Sequence, residues 1–200
     1  LIYSKGIDVM RLDHIAYRSK DRNKTAKFFR DCFGYTIGTE FDLKFDDGST
    51  TGCMALSTPE TRSSQTSDWI YKKLIPSHYA VPTDPLYFTD CEFHAPPEIF
   101  VSDGPKGSIV GDWVAERGDI GGVHHMAYQV DDVAAVMKEW KEKGYLEFYS
   151  EEPLVCEETH LTQVFSKPSE LTGVIYELIK RGSDNKGFCE LNVKGLMEST

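Results

Sequence analysis

The sequence has no C-x-x-C pair, no cluster of lysine and arginine, and no apolar run near the roughly 18 residues that a membrane-crossing helix needs. Each absence excludes something. Without cysteines at ligand spacing there is no zinc knuckle. The five cysteines, Cys32, Cys53, Cys91, Cys156 and Cys189, are an odd number that reads as reduced thiols rather than a disulfide framework. Without a basic stripe, and with a net charge of -10, neither nucleic acid nor an anionic membrane surface is an expected partner. The opening stretch, LIYSKGIDVM, lacks the charged-then-apolar layout of a secretory signal; it does not begin with Met, which leaves a trimmed leader open. These features together predict a soluble, cytoplasmic protein whose partner is a small molecule.

The chain does carry a core and a repeat. At 200 residues and 40% apolar content, it can build one large domain or two small modules. DHIAYRSKD at 13–21 and HHMAYQVDD at 124–132 align at one offset of 111 residues, pairing His14 with His125, Ala16 with Ala127, Tyr17 with Tyr128 and Asp21 with Asp132. The offset selects the second of two adjacent histidines. Period-two alternation along a strand then predicts that His124 faces the other way.

The residues after each copy are also alike. The first copy leads into an apolar stripe at Ala26, Phe29 and Phe33, with Phe28 and Cys32 beside it, stopped by Gly34. The second leads into Val133, Val136, Met137 and Trp140, stopped near Gly144. Three β-type runs succeed the second helix, at LEFYSEE (146–152), HLTQVFSKP (160–168) and GVIYELIKR (173–181). The first copy continues through TIGTEFDLKF, TTGCMALS and, after a gap, CEFHAPPEIFVSD. The expected fold is therefore α+β, with two paired βαβββ modules enclosing a site. The first spans 1–120 with an insertion at about 60–90, and the second spans 121–182. A C-terminal helix or tail occupies 183–200. The insertion carries a short predicted helix at SDWIYKKLI and reads either as a lid or as a surface excursion over a sheet edge.

Paired modules bring equivalent strands together, so His14 and His125 can converge. Glu177 lies among apolar residues in the last strand of the second module, an odd place for a carboxylate that does no work. Two histidines and one carboxylate on rigid strands form a face that leaves about three positions of an octahedral ion open. Glu98, on the loosely corresponding strand of the first module, is a candidate fourth ligand. His78, His94 and His160 have no repeat partner and read as surface or loop histidines.

These residues resemble the vicinal oxygen chelate superfamily, which includes glyoxalases, methylmalonyl-CoA epimerases and several dioxygenases. The last two-fifths of the chain looks most like the catalytic half of the 4-hydroxyphenylpyruvate dioxygenases. The resemblance is carried by GGVHHMAYQVDDV, LTQVFSKP, VIYELIKR and KGFCELNVKGLMEST, in order and at fitting intervals. It implies that His14, His125 and Glu177 bind Fe(II), with Mn, Co, Ni or Zn as other ions the same ligands accept. It further implies that Gln163 orients a substrate, that Phe165 lines the pocket, and that Phe188 and Asn192 belong to a gating helix. The implied activity is dioxygenation of a small bidentate substrate, such as a 2-oxo acid, with O2. The implied alternative is an isomerase or epimerase, in which carboxylates move protons and Glu98 is favoured as a fourth ligand; a metal-free binding or resistance-type protein is a third class. The sequence departs from the dioxygenase pattern at Val193, where a second gate aromatic is expected, and at Ser102, a loose match to a polar position. It shows no counterpart of the noncatalytic N-terminal half. A monomer can complete the site, and a homodimer is equally compatible.

Overall fold

The computed structural model describes residues 11–58, 97–182 and 187–200. The insertion at about 60–90 with its expected helix, and also His78, His94 and Cys91, lie outside the described residues. The first half runs β1 (Arg11–Arg18), α1 (Arg22–Phe33), β2 (Thr36–Lys44), β3 (Thr50–Ser57) and β4 (Glu98–Asp103). A connecting helix α2 (Ile109–Glu116) leads to β5 (Gly122–Gln129), α3 (Val133–Glu142), β6 (Leu154–Val155), β7 (Thr162–Phe165), β8 (Ile175–Lys180) and α4 (Glu190–Glu198). The eight strands among the described residues form one sheet in the order β2-β3-β4-β1-β5-β8-β7-β6. The halves are the two βαβββ units of an α+β fold, joined where β1 and β5 pair antiparallel.

The repeat is visible in the caps as well as the strands. Asp21 accepts a hydrogen bond from the Lys24 amide at the start of α1, and its repeat partner Asp132 does the same for Ala135 at the start of α3. Gly34 ends α1 with φ 78°, a left-handed conformation that glycine adopts without a Cβ clash.

The two faces of the sheet divide the work by strand alternation. Ile15 and Tyr17 of β1 pack outward with Phe29 against a cluster of Ala26, Tyr35, Met54, Leu56, Ile99 and Val101. Helix α3 covers the other half through Val133, Val136 and Met137 against Val164 and Leu178. On the inner face, Ala16, Phe100 and Cys53 meet Val193 and Met197 of α4. That inner face is where the candidate ligands point.

The structure corrects four expectations. LEFYSEE is not a strand: Phe148 makes a single bridge to Ser166, and pairing resumes only at Leu154–Val155. Pro153, just beyond the run, has no N–H for a ladder and separates it from the pairing at Leu154. The stripe on α1 is shallower than its spacing suggests, since Ala26 is buried while Phe28 and Phe33 stay about half exposed. The cysteines are not all reduced, because Cys156 and Cys189 form a disulfide with their Cα atoms 6.5 Å apart. The partners are 33 residues apart in sequence and only the fold brings them together. His124 does not face away from His125, because the β1–β5 ladder is irregular at that point.

Candidate metal centre

His14 comes from β1, His125 from β5 and Glu177 from β8, three adjacent strands of the sheet. Each histidine faces the alanine of the other repeat copy: His14 opposes Ala127 and His125 opposes Ala16 across the β1–β5 ladder. Directly opposed side chains share a face. The small alanine therefore leaves room for the imidazole beside it, which gives the His-x-Ala motif a steric reason. Ala127 in turn pairs with Glu177 on β8, which completes the set.

The three side chains are buried, with His14 and Glu177 each 1% exposed. His14 Nε2 lies 3.3 Å from His125 Nε2 and 3.3 Å from Glu177 Oε2, and His125 Nε2 lies 3.1 Å from the same oxygen. With metal–ligand bonds of about 2.1 Å, neighbouring donors lie about 3.0 Å apart on an octahedron and about 3.4 Å on a tetrahedron. The observed triangle fits one face of either. Two imidazoles and a carboxylate are a donor set for a divalent first-row ion, and the far nitrogens of both rings are already engaged.

Those far nitrogens show how the ligands are aimed. His14 Nδ1 lies 2.8 Å from Asp13 Oδ1, and His125 Nδ1 lies 2.9 Å from His124 Nδ1. The β1–β5 register shifts once between Leu12 and His14, and again where Ala16 pairs with His125 but Tyr17 pairs with Val123. Asp13 and His124 are thus the extra residues of two bulges. A bulge breaks strand alternation and turns its residue to the side of the next. This is why His124 is buried beside His125 instead of facing away. Asp13 and His124 also occupy equivalent repeat positions, each just before a histidine of the triad.

A second layer holds the carboxylates. Arg181 donates to Asp13 from Nε at 2.8 Å and Nη2 at 2.6 Å, to the Gly187 carbonyl at 2.9 Å and to Glu98 at 3.2 Å. Gln163 Nε2 donates to Glu177 Oε1 at 2.6 Å, and its own Oε1 accepts from Asn192 of α4 at 3.1 Å. Gln163 therefore braces the carboxylate and ties it to the C-terminal helix. Glu98 does not join the triad: its carboxylate is turned to Arg181 and about a third exposed. His160 is exposed on a loop and is not part of the triad.

Charge is set by these contacts. Burial works against the charged form of His14, but the carboxylates of Glu177 and Asp13 outweigh it and raise the imidazole to about 9. Burial would raise Glu177, yet His14 and His125 hold it down at about 2. Burial dominates at His125 and His124 and lowers both, which keeps them neutral. Without an ion, the triad is a buried ion pair of His14 and Glu177 with a neutral His125 alongside.

A small cavity lies above the triad, with about 30 Å³ open to the centres of water-sized molecules. Phe188 stands edge-on to His14 with ring centroids 5.0 Å apart, Phe165 lies 4.5 Å from His125, and Phe100 backs Phe188 at 4.9 Å. Val193 and Ser102 also line it. Among the described residues, Glu177 is the one carboxylate on its wall. Sequence reasoning missed Asp13, Arg181, Arg18 and the role of His124; the polar residue before each repeat histidine was the available signal for two of them.

No curated protein sequence matches the chain. Among solved structures, a methylmalonyl-CoA epimerase is similar at 22% identity and a TM-score of 0.56, over 89% of this chain and 100% of the epimerase. The Mycobacterium tuberculosis methylmalonyl-CoA epimerase is similar at 17% and 0.52, over 86% of this chain and 87% of its own. A variant of 4-hydroxymandelate synthase from Streptomyces coelicolor is similar at 16% identity and a TM-score of 0.66, over 95% of this chain but only 53% of the synthase. At these identities the likeness is one of fold. Residues 11–152 match a family profile that covers more than half of the sequence, and the chain belongs to the Glyoxalase/Bleomycin resistance protein/Dioxygenase superfamily.

Proposed function

We propose that this chain is a non-haem Fe(II)-dependent dioxygenase that combines O2 with a small bidentate substrate such as a 2-oxo acid. The observation that carries the reading is a two-histidine, one-carboxylate face whose open side meets aromatic rings and, among the described residues, no further carboxylate. When bound, the ion would template the substrate and supply electrons for the reaction with O2. The chain's own residues do the rest. His14, His125 and Glu177 hold the ion, with Asp13 and His124 fixing the two rings. Gln163 and Asn192 keep the carboxylate in place and seat α4. Phe165, Phe188 and Phe100 exclude water and offer no group that could move a proton. The same ligands accept Mn, Co, Ni or Zn, so metal identity is part of the test.

Anaerobic reconstitution with Fe(II), then oxygen-electrode traces with 2-oxo acids, including 4-hydroxyphenylpyruvate, and with catechols, checks the reading. Uptake with one substrate class, lost in Glu177→Ala, is the expected result. No uptake from fully iron-loaded protein across the panel counts against it. One observation favours a metal-dependent epimerase instead: the likeness to the epimerase fold spans that whole protein, whereas the synthase is matched over half. That reading predicts solvent deuterium appearing in an acyl-CoA ester without O2.

A further inference from the structure

Arg18 is the last residue of β1, on the same face as His14 and Ala16. It is buried at 3% exposure and lines the metal cavity together with His14, His124 and His125. Burying a cation is unfavourable unless an anion comes with it. Other well-covered arginines here obey that rule: Arg181 pairs with Asp13 and Glu98, and Arg22 with Glu40, Asp42 and Asp103. Arg18 has no carboxylate partner among the described residues. Among the described residues its side chain donates one hydrogen bond, from Nη2 to Thr200 Oγ1 at 3.0 Å, and most of its donors meet no partner there.

Another cation, Arg117, lies close to it. The Trp113 ring centroid lies 5.7 Å from Arg18 Cζ, and Arg117 stacks on the same ring at 3.6 Å. Burial, with the Arg117 charge near by, draws the Arg18 guanidinium down to about 10. Arg18 and His124 also line an outer cavity formed with Asp112, Glu116, Arg117 and Tyr149. Neither acid there pairs with Arg18, and Asp112 is taken by the Gly107 amide at 2.8 Å. Arg18 therefore stands where the outer cavity meets the metal cavity, with its fork open.

We infer that Arg18 anchors a carboxylate carried by the substrate at the end remote from its metal-chelating group. The substrate class is thus a small dianion, chelating at one end and carboxylate-bearing at the other. A guanidinium binds a carboxylate through two parallel hydrogen bonds, which an aliphatic or neutral substrate end cannot supply. The placement of the chelating end rests on the proposed dioxygenase site; the anion site at Arg18 does not.

The test has two arms. In the first, Co(II)-loaded protein is titrated calorimetrically with the 2-oxo diacids oxaloacetate, 2-oxoglutarate and 2-oxoadipate, and with the monoacid 2-oxobutyrate. At least one diacid is expected to bind about tenfold or more tightly than the monoacid, as a desolvated charge pair warrants. Arg18→Gln is expected to erase that preference while leaving the monoacid affinity and the Co(II) absorption spectrum unchanged. Equal affinities in the native protein, or a preference that survives Arg18→Gln, overturns the inference. In the second arm, metal-free protein is melted with and without succinate. Succinate should raise the melting temperature of the native protein and not that of Arg18→Gln. Arg18→Met should melt no lower than native protein in anion-free buffer, because a structural arginine would be missed and an anchor would not. An intact succinate response with no Co(II) binding would sink the metal reading and keep the anion site. Normal Co(II) binding with no succinate response would do the reverse.

Discussion

Asp13 and His124 carry the least obvious part of the site, because neither touches the position where an ion would sit. Each holds the far nitrogen of the histidine next in the chain, and such outer partners typically change metal affinity 10- to 100-fold. Asp13→Ala and His124→Ala should each weaken Co(II) binding by about that factor while keeping one ion per chain. His125→Ala should abolish binding, and retention of full affinity in His125→Ala would show that the repeat register is misread. The charge on His14 sets the pH dependence. Its raised value of about 9 means that the metal-free protein keeps a proton on the imidazole below that pH, and a metal must displace it. Apparent affinity should therefore fall as pH drops below 9, by about tenfold per unit, with one proton released per ion in a calorimetric titration across buffers of differing ionisation heat. Asp13→Asn removes one of the causes that raise His14 and should move this dependence to lower pH. His14 and His125 were legible in the sequence because the same position of two repeats holds the same rare residue. The orientation of His124 was not, since strand alternation presumes a regular ladder and a bulge leaves no compositional mark.

Helix α4 links the site to the rest of the chain through Asn192, through Phe188 just before it, and through the Cys156–Cys189 disulfide at its first turn. The disulfide closes a loop across a 33-residue separation that includes β7 and β8. Cross-links of this kind stabilise by about 2–4 kcal/mol, largely by restricting the unfolded chain. Cys189→Ser should lower the urea unfolding free energy by about that amount, and reductant should lower the native protein to the same value. Metal stoichiometry should stay unchanged, because neither cysteine reaches the triad. A variant as stable as native protein with and without reductant would show that the bond is not formed in solution. Elements with a periodic pattern, α1, α3 and β8, could be read directly from sequence. The two-residue β6 is too short to carry a pattern, and α2 lies between the modules, where no repeat copy points to it. The cysteine pair was hidden because an odd count and long spacing say nothing of proximity; only the packing of α4 against β6 and β7 creates it.

At the scale of the whole molecule, the triad is divided unequally across the seam where the repeats meet: His14 comes from the first half, and His125 and Glu177 from the second. A bound ion would therefore join the halves at the place where their strands pair. The sheet is continuous through β1 and β5, so the two units should melt as one cooperative block. An ion that binds only the folded chain stabilises by mass action, about 2.7 kcal/mol when free metal stands at 100 times its dissociation constant. Calorimetric melting should then show one transition that moves up with Co(II) concentration, and the shift should vanish in both His14→Ala and Glu177→Gln. Comparing these two variants locates the coupling, since they remove ligands from opposite halves. Equal loss of the shift means that the ion needs both halves at once. Two separate transitions, with only the one lacking His14 responding to metal, would mean that the second half binds the ion alone and that the seam has no part in the site.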